Sequence, residues 1–404
     1  MNKEKLSSRE RMLAAMRRQS PDFVPMSPYI GQGPWWKGEL FWNDQIERTE
    51  RMLALGLDPA IDIWLPYPEP HPDVTIKTSR DTSGDIPVIT KEYHTPAGVL
   101  RQVVKESDGW CKARHGLWTP TIFGTEKRDY FGMELLDDYN VSRRLEPWVK
   151  GSEDLKKLRY IIRMPNGYKL DEWRMDAQRA MEIADKFGVV SVSRRAIVGD
   201  AFQWFCDIQD FLCQLISAPD FVKEFFDIFQ SWSMELVQLA LDVGVDVVQY
   251  RGWYEIPTYW GPNFFAEFLK PCIEDQGNLV HQAGKLFSYL LPEGQGAYAD
   301  ILATMNVDVL QGVDPRMLHG GNMKSLFAKT GDTKAFWGGV NAEVTLESCD
   351  AEQIDTAVKE AIDCLGTGGG LVLSSFLFPE VPQTAIMQMI ESWKKYCNTG
   401  VKNA

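Results

Sequence analysis

The sequence predicts an α/β protein, a (β/α)8 TIM barrel with an antiparallel β-rich insertion after the second strand. Short apolar runs rich in β-branched residues recur with helix-length segments between them, which is typical of parallel strands buried on both faces. Most of these runs end in polar residues where the chain reaches a glycine or a turn. After the second run the apolar period changes to two, which indicates antiparallel hairpins.

The elements follow from this pattern in chain order. Helices are predicted between the strands, beginning with residues 8–18 behind a serine cap and ending with residues 383–397. Residues 66–125 are predicted to form the insertion and to cap the site, and residues 1–404 to form one barrel domain. The eight barrel strands are predicted at residues 24–29, 58–65, 189–194, 246–251, 279–282, 307–312, 335–340 and 370–375.

Composition narrows the classes of function. The chain has 404 residues, of which 44% are hydrophobic and 25% charged, with a formal net charge of −13. This acidic balance without a basic run argues against nucleic acid or an anionic membrane as a partner. The absence of an apolar leader or a membrane-length apolar stretch predicts a cytoplasmic enzyme. Seven cysteines without a C-x-x-C pair are typical of a reducing compartment.

Polar residues at the predicted strand ends are the candidate site. Alternation places Gln249 and Arg251 on one face of their strand, and His281 at the end of the fifth strand, so we expect them to meet at the carboxyl edge. His281, Glu255 and Arg251 are the candidate catalytic residues. The candidate substrate-binding residues are Gln249, Trp35, Trp36, Gln311, Asn341 and Ser375.

Each candidate also has a structural alternative. His281 could be a core histidine, and Glu255 a solvated loop acid. Gln249 and Arg251 could pair within the barrel interior, and Asn341 could cap a helix. The sequence leaves these alternatives open.

Several segments resemble the uroporphyrinogen decarboxylase superfamily. They are V-G-V-D-V-V-Q-Y, W-G-P-N-F-F-A-E-F-L-K-P, V-H-Q-A-G, W-G-G-V-N and G-G-G-L-V-L-S-S, and the opening R-E-R-M-L-A-A-M-R-R-Q-S-P-D-F-V-P. The likeness is strongest from about residue 200 to residue 396. The resemblance implies a (β/α)8 barrel that works as a decarboxylase or as a cobamide-dependent methyltransferase.

Departures from the family pattern reduce the range of activities that the resemblance implies. The arginine-rich R-Q-A-G-R segment of the decarboxylases is replaced by Y-I-G-Q-G-P-W-W-K-G, which disfavours a substrate with many carboxylates. The His-x-Cys zinc pair of the thiol-activating methyltransferases is matched at His281, but Ala283 stands where the cysteine is expected. A cysteine-rich zinc site is therefore excluded, and any zinc would be bound by His281 with carboxylates such as Glu255, Glu343 or Glu380.

The resemblance then favours a demethylase component. Such a methyltransferase would take a methyl group from a small methoxylated donor, expected to be aromatic, or from a methylated donor, and pass it to a corrinoid. The chain has no D-x-H-x-x-G corrinoid motif, so the corrinoid is expected on a partner protein. His281 or a carboxylate would protonate the leaving oxygen. The alternatives are a decarboxylase of a small acid and a non-catalytic ligand-binding barrel. The oligomeric state is open, a homodimer included.

Overall fold

A parallel sheet of seven strands forms the centre of the protein. The computed structural model describes residues 5–30, 44–105, 117–120, 122, 125–128, 144–377 and 381–398. Neighbouring strands of the sheet pair in parallel, and their order along it is β14-β13-β12-β11-β10-β9-β2. The strands are β2 (Ala60–Trp64), β9 (Val190–Ala196), β10 (Val247–Arg251), β11 (Leu286–Leu290), β12 (Val309–Val313), β13 (Ala335–Gly339) and β14 (Leu371–Ser374).

Helices occupy most of the connections between these strands, as expected for right-handed crossovers that cover a parallel sheet. Short π-helical turns follow α8, at Phe265–Leu269, and β13, at Ala342–Leu346. No described helix is long and apolar enough to span a membrane. The helices are α1 (Ser8–Met16), α2 (Gln45–Ala54), α3 (Ser152–Leu158), α4 (Tyr168–Phe187), α5 (Ala201–Phe205), α6 (Ile208–Ser217), α7 (Pro219–Val243), α8 (Pro257–Phe264), α9 (Lys270–Gln282), α10 (Ala299–Thr304), α11 (Met323–Thr330), α12 (Ala351–Leu365) and α13 (Gln383–Tyr396).

The first predicted strand joins the last one. The short strand β1 (Tyr29–Ile30) pairs in parallel with β15 (Phe376–Leu377), and the N–H of Ser27 donates to the carbonyl of Leu373 at 2.9 Å. On its other side, the N–H of Asp58 donates to the carbonyl of Met26 at 2.8 Å. The segment therefore lies beside both edge strands of the sheet. Among the described residues, a continuous ladder that closes a full barrel is not shown.

The fifth strand was predicted in the wrong place. Residues 279–282 belong to helix α9, and the strand is β11, whose five residues are all buried. Ile273, Gly277 and Val280 are buried at helical spacing along α9, so the apolar pair before His281 is part of a helix face. Gly284, with φ of +68°, turns the chain from the helix toward the strand. The other seven predicted runs each overlap an observed strand.

The antiparallel insertion is confirmed. Strands β3 (Thr75–Asp81), β4 (Val88–Thr95), β5 (Gly98–Lys105) and β8 (Arg144–Glu146) form one antiparallel sheet in that order, and β6 (Leu117–Pro120) pairs with β7 (Thr125–Arg128). The sheet extends beyond residue 125 through β8. The division into one barrel domain with a capping insertion at 66–125 stays a prediction.

Helix α1 packs on the inner side of the parallel sheet at the amino ends of its strands. Met12, Ala15 and Met16 are buried in one cluster with inward residues of the strands, such as Val247 and Val309. The intervening residues of the strands belong to the larger core beneath the outer helices, as alternation requires. This alternation makes Gln249 and Arg251 inward residues and Tyr250 an outward one.

A substitution at Gly277 tests the assignment of residues 270–282 to a packed helix and of the fifth strand to β11. A side chain at this position would overlap the backbone oxygen of Asn306, so Gly277→Ala should destabilise the fold by about 2–4 kcal/mol. An exposed helix would instead gain about 1 kcal/mol from the same change. Chemical denaturation measures the difference.

The matched control is Gly151→Ala. This glycine precedes α3, and nothing lies within 4 Å of an added Cβ, so we expect a change of about 0.5 kcal/mol or less. Equal stability of the two variants would contradict the packing of α9 described above.

Candidate functional site

A cleft lies at the carboxyl ends of the parallel strands. Its volume is about 260 Å³, just below the roughly 300–1,000 Å³ of typical ligand pockets, which indicates a small ligand. Its walls come from the loops after β10, β11, β12 and β13 and from β15. The described residues that line it are Trp253, Tyr254, Ile256, Tyr259, Pro292, Glu293, Asp314, Met317, Asn341, Ala342, Glu343 and Phe376.

One part of the cleft is aromatic. The rings of Trp253 and Phe376 meet edge to face with centroids 5.5 Å apart. Phe376 also contacts Tyr29 at 5.5 Å, and Tyr254 contacts Trp204 at 5.8 Å. These packed rings offer flat apolar surfaces to a ligand at little cost in side-chain entropy.

Carboxylates also line the cleft. Asp314 accepts hydrogen bonds at 2.8 Å from the Asn341 amide and from the N–H of Arg316, and burial raises the pKa of Asp314 above its ordinary value. Glu293 Oε1 lies 2.9 Å from His319 Nε2. Glu343 is exposed at the rim. The cleft therefore has a negative side, and Asp314 holds a proton more readily than an exposed aspartate.

Asn341 both caps a turn and holds a carboxylate of the cleft. Its Oδ1 accepts the backbone N–H groups of Val344 at 2.6 Å and Thr345 at 3.1 Å, so it caps the turn that follows β13. Its amide group simultaneously orients Asp314. The helix-cap alternative is thus correct, and the residue still lines the cleft.

Arg251 is paired with a buried carboxylate beside the cleft. Its Nη1 lies 2.8 Å from Oδ2 of the buried Asp200, and its guanidinium carbon lies 4.9 Å from the ring centre of Trp204 and 5.8 Å from that of Trp253. Asp200 also accepts the N–H of Tyr254 at 2.6 Å. Burial outweighs these favourable contacts and raises the pKa of Asp200 to about 6.

Glu255 lies behind the wall of the cleft. It is fully buried and accepts hydrogen bonds from the hydroxyls of Tyr250 at 2.6 Å and Tyr289 at 2.8 Å, and from the N–H of Gly199 at 2.9 Å. Burial, and then the nearby Asp200, raise the pKa of Glu255 to about 8. Both tyrosines face the outer helices, so this carboxyl lies between sheet and helices and supports the loop that carries Trp253 and Tyr254.

The predicted glutamines contact each other inside the barrel. The Gln249 amide donates to Gln311 Oε1, which also accepts from the Ser288 hydroxyl at 3.3 Å. Ser375 is buried beside β1. The structure does not place any of these side chains in the cleft. Trp35, Trp36 and Glu380 lie outside the described residues.

The position predicted for His281 is wrong. It lies on α9, and its Nε2 is 2.8 Å from Asp308. Asp308 immediately precedes β12 and accepts the N–H of Phe287 at 2.7 Å, so the pair marks the amino edge of the sheet. A five-residue strand is about 17 Å long, which separates His281 from the cleft and from Glu255. In the described ranges, no cluster of three or more His, Cys, Asp or Glu residues could hold a metal ion.

Sequence reasoning missed the loop residues of the cleft. Trp253, Tyr259 and Phe376 were not singled out, although W-Y-E-I-P-T-Y directly follows β10. Glu293 follows β11, which was placed too early in the chain. A correct fifth strand would have put P-E-G at a strand end, where polar residues of barrel sites concentrate.

The sequence of the second half of the chain matches a known family. Residues 205–396 match the family described as uroporphyrinogen decarboxylase (URO-D). The resemblance to the uroporphyrinogen decarboxylase superfamily is confirmed. The matched range includes the cleft-lining loops after β10 to β13 and Phe376. No curated protein matches the chain.

One solved structure shares the fold of this chain. A methyltransferase from Methanosarcina mazei has a TM-score of 0.56 and 16% identity, over 97% of this chain and 99% of that chain. A B12-independent methionine synthase from Shewanella sp. W3-18-1 has a TM-score of 0.41 and 11% identity, over 60% of this chain and 67% of its own. At this level of identity, the first likeness shows a shared fold.

His281 should contribute to stability and not to ligand binding. Its hydrogen bond to Asp308 raises the pKa of His281 above 6.5 in the folded protein, so the stabilisation is complete below about pH 6.5 and is lost as pH rises through the higher folded value. His281→Ala should therefore cost on the order of 1 kcal/mol at pH 5.5 and less at pH 9. Urea unfolding at the two pH values measures this difference. A larger cost at pH 9 would contradict the pairing.

Glu255 should make the protein less stable in alkaline solution. The pKa of Glu255 is about 8 in the folded protein against an ordinary value of 4.5, so the unfolded chain binds fewer protons, and stability falls as pH rises between these values. Glu255→Gln removes this titration, whose slope is at most about 1.4 kcal/mol per pH unit. Between pH 5 and 9 the variant should lose less stability than the wild type. The exposed control Glu352→Gln should follow the wild type.

Proposed function

We propose that the protein is a methyltransferase that moves a methyl group from a small methoxylated or methylated donor to a corrinoid carried on a separate protein. The family match and the barrel shared with a methyltransferase support this proposal. The cleft at the carboxyl ends of the strands is the proposed donor site, because ligands of such folds bind at this edge.

The charge of the cleft favours methyl transfer over decarboxylation. Its described lining has three carboxylates, Glu293, Asp314 and Glu343, and neither lysine nor arginine. The adjacent Arg251 is already paired with Asp200. A small organic acid would meet like charges in the described lining, and the guanidinium of Arg251 already has one carboxylate partner, so a decarboxylase is the less favoured alternative.

The residues of the cleft support two parts of the reaction. The aromatic wall, Trp253, Tyr254 and Phe376, would hold the donor and exclude water from its methyl group. A methoxylated donor also needs a proton on its leaving oxygen, and Asp314 is the cleft carboxyl whose raised pKa favours proton donation. A Co(I) corrinoid, when a partner supplies it, is the nucleophile that accepts the methyl group. The proposal contains no zinc step, because the structure does not bring His281 and Glu255 together.

The test is methyl transfer to free Co(I) cobalamin by the purified protein, followed by the change in cobalamin absorbance. Donors of both classes should be offered, and at least one should be demethylated. Trp253→Leu removes an aromatic face of the cleft and should raise KM roughly tenfold or more, since losing such a ring costs about 1–3 kcal/mol. Asp300→Asn, at an exposed site paired with Lys329, is the control and should leave the rate unchanged.

Other outcomes identify the alternatives. Release of CO₂ from a small acid without methylation of cobalamin would replace the proposal with a decarboxylase. Tight binding of a donor with neither reaction would favour a ligand-binding barrel.

A further inference from the structure

We infer that the cleft selects a positively charged methyl donor, a methylated ammonium compound, over a neutral methoxylated one. The inference rests on the proposed function for its chemistry. The recognition step is separable, because binding can be measured without turnover.

The first argument is the balance of charge. Glu293, Asp314 and Glu343 converge on one cleft of about 260 Å³. The basic side chains nearby lie outside the described lining: Arg251 is paired with Asp200, Nε2 of His319 lies 2.9 Å from Glu293, and the exposed Arg316 attracts Asp314. These contacts compensate part of the negative charge, and none of the three involves Glu343. A cationic ligand would add to this compensation as it displaced water, whereas a neutral ligand would not.

The second argument is the aromatic wall facing the same space. The faces of tryptophan, tyrosine and phenylalanine rings attract cations, and such rings are the usual means of binding quaternary ammonium groups. Trp253 and Tyr254 already interact with a cation of the protein itself, because the guanidinium carbon of Arg251 lies 5.8 Å and 6.0 Å from their ring centres. Tyr259 and Phe376 continue the wall into the cleft. Carboxylates and ring faces together form a cation-selective surface.

The third argument is the leaving group. When methyl leaves a quaternary ammonium, the C–N bond breaks, its electron pair stays on nitrogen, and a neutral amine departs. A Co(I) corrinoid supplied by the partner would provide the electron pair for the new bond to the methyl carbon, so no proton would be required. An ether needs a proton on its oxygen, for which Asp314 is the proposed donor. An ammonium donor needs no such acid, so the described carboxylates of the cleft can serve it as counter-charges.

Isothermal titration calorimetry with choline and 3,3-dimethylbutan-1-ol tests the charge selection. The two molecules have nearly the same shape, but a carbon replaces the charged nitrogen in the alcohol. We expect choline to bind at least about tenfold more tightly, in keeping with the strength of desolvated cation–π and ionic contacts. Tetramethylammonium should compete with choline.

Charge-removing variants assign the selectivity to the cleft. The double variant Glu293→Gln and Glu343→Gln should weaken choline binding roughly tenfold and leave binding of the alcohol unchanged. The control Asp300→Asn removes one exposed carboxylate outside the cleft and should change neither. Equal affinity for choline and the alcohol in the wild type, or loss of both ligands together in the double variant, would overturn the inference.

The proposed function and this inference can fail separately. Demethylation of a methoxylated aromatic without preference for choline would uphold methyl transfer and overturn cation selection. Preference for choline without methylation of Co(I) cobalamin by choline or tetramethylammonium would uphold the cation site and overturn methyl transfer.

Discussion

The pairing of the first and last strand segments is the constraint on which the cleft depends. β1 and β15 come from opposite ends of the sequence and pair in parallel. The indole N–H of Trp393 donates to the carbonyl of Val24 at 2.8 Å and strengthens the same junction. Because the cost of closing a loop grows slowly with its length, a few such contacts are enough to hold the ends together. Phe376 is thereby fixed between Tyr29 and Trp253, as one wall of the cleft.

A second set of buried contacts fixes the rest of the aromatic wall. Glu255 joins the loop after β9, through the N–H of Gly199, to the outward tyrosines of β10 and β11. A side chain at Gly199 or Gly252 would overlap this carboxyl, which explains why glycines stand there. Arg251 and Asp200 complete the connection on the side of the cleft. The aromatic residues of the loop after β10 are therefore held before any ligand arrives, which lowers the entropy lost on binding.

Much of the fold could be predicted because buried parallel strands have a simple signature. The run A-F-W-G-G is short, apolar and flanked by polar turns, and its five residues are all buried. The failure at His281 has the same origin, because a run of two apolar residues fits a helix face as well as a strand. Burial of Ile273, Gly277 and Val280 at helical spacing decides in favour of the helix. That spacing is present in the sequence, but the polar end of the segment at Gln282 and Gly284 resembles the end of a strand.

The site was harder to predict than the sheet. Arg251 and Asn341 were correctly expected at the carboxyl edge, since both stand at or directly after a strand end. Gln249 and Gln311 face inward as alternation requires, but they form a hydrogen bond with each other on the inner side of the sheet. Alternation predicts on which face of a strand a side chain lies, but not which residue it contacts. The residues that line the cleft lie in loops, where neither the two-residue nor the helical period applies.

Helix α1 limits the directions from which the cleft can be reached. With Met12, Ala15 and Met16 packed among the inward strand residues, the amino end of the sheet is filled on its inner side, and the described cleft lies at the other end. Under the proposed methyl transfer, the donor and the corrinoid protein would both approach from the carboxyl ends of the strands. A docked corrinoid protein would then delay the departure of the demethylated donor.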